Sequence, residues 1–381
     1  MSEPSGSPSI LYTPRIPRRD FLRRAGQVGL SLPLGAALAA CSKSSTSSPP
    51  SSPTSSSPEP VTGKAVILNY AGWMGKHNVD HFEAAHPGAS IKQITEGSIS
   101  SGAVVAQIKA NPKLYDGSLG DQAVVGQAIA ADILQPLDWS KIPNIKYVDE
   151  TFRKAYPHAV PSDYGKVGIG YRADLVSEEI TSWADVWRLA PKYSGKIVFI
   201  DLDRDCIGSA LKLLGFSTNT TSSSELAQAL QQLLAIKPHL QAILGYNIGR
   251  GLAKGTTYIA MDWDFDVALA QQSNENIKWV LPEEGATAYL EGFFAIKDTP
   301  RLAVLESFFD LFLDPKEYAD FVNTTGTAFV EQAATPYVDK SISGNQALVV
   351  DPTSLAKVEF EEFVGPAIAE FAKVWDQFKS A

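Results

Sequence analysis

Asp262-Trp263-Asp264-Phe265-Asp266 places three carboxylates and an indole within five consecutive residues, directly after the apolar run 256–261. Such a set suits an organic cation, because carboxylates neutralise an ammonium group and an aromatic face attracts it through its quadrupole. In open α/β sheets, ligands sit beyond the carboxyl ends of strands, which is where this cluster falls. The plainer reading is that one of these acids only caps the following helix. Asp201, Asp203 and Asp205 repeat the arrangement after the run 197–200, with solvated helix-capping acids as the alternative. Their D-x-D-x-D spacing is that of a calcium loop, but Cys206 stands where the loop needs Gly and Lys212 where it needs Glu, so calcium is not expected. Tyr70 and Trp73 close the first apolar run and could form one wall of a cleft; Tyr289 and Glu291 could form the opposite wall.

Other chemistry is poorly represented. His77, His81 and His86 lie together, yet neither Cys nor a tight acid cluster completes a metal set, so a solvated helix surface is expected and no metal or cofactor. GxSxG, HExxH, paired CxxC, GxxxxGK[ST] and the glycine-rich nucleotide fingerprint are all missing. An enzyme built on this chain would have to work without a local signature.

The elements that must position these residues read as α/β, with short apolar runs alternating with helix-period segments. Strands are expected at 65–70, 90–94, 115–120, 166–171, 197–200 and 256–261. Helices are expected at 78–86, 103–110, 122–131, 302–313 and 363–378, after the Ser182 cap, and after each of the two acid clusters. A loop-rich stretch precedes residue 166. Residues 64–381 exceed one comfortable domain, so two lobes with a ligand cleft between them are expected. Cys206 sits in an apolar-rich helical segment and reads as a buried structural thiol.

With 42 acidic against 33 basic residues, a formal charge of −9, the chain lacks the electrostatic footprint of a nucleic-acid binder. The first forty residues differ, holding five arginines and two acids. Pro17-Arg18-Arg19-Asp20-Phe21-Leu22-Arg23 resembles the twin-arginine export signal. An apolar stretch too short to span a bilayer follows, ending in Leu38-Ala39-Ala40-Cys41, which resembles a bacterial lipobox. In that signature the cysteine, here Cys41, is diacylated and the chain is cut before it. Residues 42–60 then hold ten Ser, five Pro and two Thr, the composition of an extended tether with nothing to bury.

From residue 64 onward the chain resembles the spermidine/putrescine-type solute receptors of ABC importers. The resemblance rests on Thr181-Ser182-Trp183-Ala184-Asp185-Val186-Trp187, Tyr193-Ser194-Gly195-Lys196, residues 210–220, and Pro282-Glu283-Glu284-Gly285 with the aromatic and acid that follow, all in family order. It implies a two-lobed receptor that closes on its ligand and presents it to a membrane permease. Tyr70 and Trp73 match the two aromatic positions after the first strand, with Trp and Tyr exchanged; Trp263 matches a stacking Trp. Tyr289 replaces a second Trp, Glu291 stands for an amine-binding Asp, and Asp205 for a Glu. One extra residue precedes Ala295-Ile296. Leu202 occupies the position of a family acid, with Asp201 and Asp203 beside it. Thr327 stands where a Tyr is expected, and Gly120-Asp121-Gln122 replaces short polar and aromatic residues.

These readings combine into an α/β, two-lobed periplasmic-binding-protein-like (type II) fold. Residues 1–40 are the export signal and 41–62 the lipidated cysteine and tether. Residues 64–165 and 290–336 form the N-terminal lobe, and 166–289 and 337–381 the C-terminal lobe. The ligand-binding set is Tyr70, Trp73, Asp121, Asp203, Asp205, Trp263, Asp264, Tyr289 and Glu291. The protein is read as a monomeric, lipid-anchored extracytoplasmic receptor for a polyamine, partnered by ABC permease subunits, with no nucleic acid and no catalysis. A receptor for another small metabolite is the nearer alternative, and an exported acid–base enzyme the more distant one.

Overall fold

The computed structural model describes residues 60–96, 101–348 and 350–381, so the export signal, Cys41 and most of the tether lie outside the described residues. Eleven strands are present among them: β1 (Gly63–Tyr70), β2 (Ala89–Glu96), β3 (Gly117–Gly120), β4 (Leu134–Gln135), β5 (Val160–Arg172), β6 (Ile197–Ile200), β7 (Leu240–Leu244), β8 (Ile259–Trp263), β9 (Ile277–Val280), β10 (Ala286–Ile296) and β11 (Val358–Phe360). They pair in the order β2-β1-β3-β10-β5-β8-β6-β7, with β4 and β11 added to β10 and β9 added to β5. β2, β1 and β3 are parallel, as are β7, β6 and β8, while β10 runs antiparallel to both β3 and β5. Parallel neighbours need a crossover, and helix Asn78–Ala85 supplies it between β1 and β2.

Two hydrophobic clusters lie around this sheet. The first gathers Ile67, Phe82, Val124, Phe152, Phe293 and Phe308; the second gathers Trp183, Phe199, Leu211, Leu233, Met261 and Phe371. β5 serves both. Its Tyr164 belongs to the first cluster and its Val167 and Ile169 to the second, so the change from one core to the other falls inside a single continuous strand. Of the C-terminal segment expected in the second lobe, Val338, Ile342, Ala347 and Leu348 pack in the first cluster, while Val364, Phe371, Val374 and Phe378, with Ala367, Ile368 and Trp375 against them, pack in the second.

Two departures from the expected elements matter for the site. β5 starts at Val160, where loop was expected, because every residue from Val160 to Arg172 is buried between neighbouring strands and so does not show the polar–apolar alternation of a one-faced strand. β8 starts three residues late and ends two residues late. Thr256 and Thr257 instead donate their backbone N–H groups to the Gly251 carbonyl, wrapping the end of helix Ile248–Lys254 past the left-handed Gly255 (φ 71°). Asp262 and Trp263 therefore sit in the strand, and the next helix (Asp264–Gln271) begins at Asp264.

Candidate functional site

Tyr70 ends β1, and the turn through Gly72 (φ 83°) brings Trp73 back over it, with the Trp73 N–H donated to the Tyr70 carbonyl at 3.1 Å. Asn69, buried, fixes the turn by donating from Nδ2 to the Trp73 carbonyl at 2.7 Å. The Trp73 indole N–H then donates to Asp163 Oδ1 at 3.3 Å and also serves Glu291. Asp163 and Glu291 face each other as register partners on β5 and β10. Two residues along, Tyr289 faces Gly165, and a Cβ on Gly165 would run into the Tyr289 ring. Only glycine lets that ring lie against the strand.

Aromatic rings continue the wall. Trp73 meets Phe265 edge-on at 5.5 Å and 66°, and Phe265 stacks on Trp263 at 5.5 Å and 19°. Phe265 thus joins the two aromatics expected on opposite lobes, a role its position in the acid cluster did not suggest.

The carboxylates fall into distinct environments. Asp163 is fully buried and accepts from the Ser162 hydroxyl at 2.6 Å and from Thr327 at 3.4 Å; burial pushes its carboxyl up to about 7 against these stabilising bonds, with Asp264 adding to the rise. Burial also pushes Glu291 well above the ordinary range, helped by Asp163 and Asp121. Its Oε2 is buried with no hydrogen-bond partner. Asp205, in the first turn of helix Asp203–Leu213, is buried near Glu361, and burial with the Asp203 charge brings it to about 7 although Arg204 opposes the rise. Glu361 follows β11, hangs from β10 through its N–H to the Ala288 carbonyl at 3.0 Å, and is likewise raised by burial and by Asp205. Asp121 caps helix Gln122–Ala130 by accepting from Val124 N at 2.7 Å, and its charge acts on Tyr70 and Glu291 as well as on Asp205 and Glu361.

Other acids are engaged elsewhere. Asp264, expected to face the ligand, is fully buried and accepts from Lys166 twice, from the backbone N–H at 3.1 Å and in an ion pair with Nζ at 3.3 Å, and from Phe265 N at 2.9 Å. Burial lifts it to about 6, with Lys166 holding it back. Asp262 accepts from Trp263 N at 2.8 Å, and burial with the Asp266 charge raises it; Asp266 accepts from Gly249 N at 3.0 Å, and Asp201 pairs with Lys379 at 2.7 Å. Asp203 is half-buried beside Asp205. His81 pairs with Glu317 at 2.8 Å, and among the described residues no group of His, Cys, Asp and Glu could hold a metal. Cys206 is buried and donates its thiol proton to the Ile200 carbonyl at 2.9 Å.

Tyr70, Trp73, Asp121, Tyr289 and Glu291 are thus brought together with Asp163, and Asp205 with Glu361. Sequence reading missed Asp163, Glu361 and Phe265. Asp163 lies inside a strand rather than after one, and Glu361 follows a three-residue strand that only its pairing with β10 reveals. The one available signal was Ser162-Asp163, a hydroxyl next to an acid in an otherwise apolar stretch.

Among the described residues no helix is long and apolar enough to cross a membrane. The chain is 25% identical over 254 residues to the spermidine/putrescine-binding periplasmic protein of Salmonella typhimurium, covering 65% of this chain and 72% of that one. It is 23% identical over 333 residues to the putrescine/cadaverine-binding protein of Pseudomonas aeruginosa, covering 83% and 93%. A solved lipoprotein of Treponema pallidum has the same fold, with a TM-score of 0.74 at 22% identity over 83% of this chain and 99% of that one. The resemblance read from the sequence therefore holds in both sequence and fold. Residues 115–353 match the family described as bacterial extracellular solute-binding protein, and the chain belongs to that family.

Proposed function

We propose that this chain is a lipid-anchored extracytoplasmic receptor that closes two lobes on a polyamine and delivers it unchanged to an ABC permease. The observation that carries this reading is the grouping of Trp73, Tyr70 and Tyr289 with Asp163 and Glu291, and of Asp205 with Glu361, because aromatic faces and buried carboxylates together recognise ammonium groups strung on an apolar chain. The names of the Salmonella and Pseudomonas relatives support the same ligand class. The lobes correspond to the two hydrophobic clusters and divide inside β5 between Tyr164 and Val167. A ligand touching both sides favours the closed form by the contacts it makes only there. Lipobox, tether and the lipoprotein among the fold neighbours support anchoring through Cys41.

Isothermal titration with spermidine and putrescine tests the ligand: saturable one-to-one binding, with the amine recovered unchanged, supports the receptor. Absence of heat with both sends the search to other solutes. Mass spectrometry of the membrane-extracted protein tests Cys41, where an N-terminal diacylglyceryl cysteine is expected. A receptor for a different metabolite is the second reading, favoured by Asp264 being held by Lys166 and by Thr327 at the position of a family Tyr.

A further inference from the structure

Asp163 and Glu291 are directly opposite on antiparallel strands, a placement that sets Cβ atoms about 5 Å apart and makes two like charges unfavourable. One indole N–H, that of Trp73, reaches both, and Ser162 and Thr327 complete the donors to Asp163. Lys166, the ammonium nearest in sequence, is ion-paired with Asp264. Glu291 Oε2 is left buried and without a partner. The second pair is buried as well: Arg204, the residue before Asp205, donates to the carbonyl of Glu362, the residue after Glu361, which sets the two carboxyls against each other, and two like charges there are equally unfavourable. Arg204 is the cation beside this pair, but its guanidinium donates to the Glu362 carbonyl at 3.1 Å and to Asn219 Oδ1 at 2.7 Å and lies over Phe371. The charge of Asp121 bears on both pairs and that of Asp203 on the second, while Asp264, Tyr70, Tyr156, Tyr289 and Tyr318 stand near the first.

We propose that the empty cleft holds one proton in each of two carboxyl pairs, Asp163–Glu291 and Asp205–Glu361, and that a bound polyamine expels both protons to solvent as its ammonium groups take their places. This rests on the polyamine reading and deepens it: the ligand needs two cationic centres, one for each pair, and its affinity falls as the medium becomes more acidic. The raised positions of Asp163 and Asp205, each at about 7, accord with one retained proton per pair near neutrality.

Calorimetric titration of the full chain with spermidine, repeated at pH 7 in phosphate and in imidazole buffers, which differ in ionisation enthalpy, reads the protons released. About two per ligand are expected at pH 7, falling at higher pH as the pairs lose their protons in advance. Glu361→Gln and, separately, Asp163→Asn each lower the release to about one. Saturable binding whose heat does not depend on the buffer overturns the exchange and leaves the polyamine receptor standing. No saturable heat with spermidine or putrescine overturns both. If either variant fails to fold, the wild-type buffer series and the other variant still decide.

Discussion

Lys166 and Asp264 form an ion pair of 3.3 Å in which the two side chains are only 2% and 0% exposed, so one acid of the most conspicuous cluster in the sequence is neutralised from within. Asp264 is the residue after Trp263, and its other oxygen contacts hold the start of helix Asp264–Gln271 against β5. The pair therefore positions the aromatic wall. Lys166→Met leaves a buried carboxyl without its cation and is expected to cost about 3–5 kcal/mol of stability. Lys166→Met with Asp264→Asn removes both charges and should recover a large part of that loss. Chemical denaturation of the two variants measures it; equal stability of both would show that the pair is not the source.

Trp263 stacks on Phe265, which in turn meets Trp73, so its indole belongs to a wall built from both sides of β5. Trp263→Ala is expected to weaken spermidine or putrescine binding by about 1–3 kcal/mol, roughly tenfold to a hundredfold, through loss of stacking and cation–π attraction. Calorimetry measures the change. An unchanged affinity removes Trp263 from the site.

Gly165→Ala puts a methyl group into the Tyr289 ring. Because Tyr289 lies two residues from Glu291 on the same strand face, displacing the ring disturbs the wall beside the Asp163–Glu291 pair. At least a tenfold loss of affinity, on the order of 1.4 kcal/mol, is expected with the circular dichroism of the folded protein retained.

Glu331 is fully buried, both of its carboxyl oxygens lack hydrogen-bond partners, and burial with the nearby Asp314 charge carries it up to about 8. A carboxyl raised in the folded state keeps a proton that the unfolded chain has lost, so stability declines as pH rises from about 4.5 to about 8 and levels off above. Glu331→Gln removes that decline. Its melting temperature should match the wild type near pH 4.5 and exceed it at pH 8; parallel curves would falsify the assignment.

Asp163 and Asp205, each raised to about 7 from an ordinary value of 3.8, act in the same direction on the ligand-free protein. The empty receptor is expected to lose stability between about pH 4 and pH 7, by about 1.4 kcal/mol for each unit of displacement at most. Thermal unfolding across pH, with and without spermidine, separates the two terms: added ligand should raise the melting temperature more at pH 8 than at pH 5.

Residue types and local order were enough to show the α/β pattern, the Ser182 cap, the aromatic and acidic residues after strands, and the receptor class. Tyr70, Trp73, Tyr289 and Glu291 were legible because each follows or lies in a recognisable apolar run. The function of the individual acids was not. Asp264 and Asp205 look alike in sequence, each in the first turn of a helix after a strand, yet one meets Lys166 on β5 and the other meets Glu361 after β11. Those partners are 98 and 156 residues away in the chain, and which of them arrives is fixed by strand order and register. Burial then sets whether a carboxyl keeps its proton, and burial belongs to the whole packed sheet rather than to any five-residue window. Residue types and their order limited the chemistries this chain could offer; which carboxyls stand side by side and which is neutralised by lysine came from packing, because charge state and reach depend on neighbours that only folding supplies.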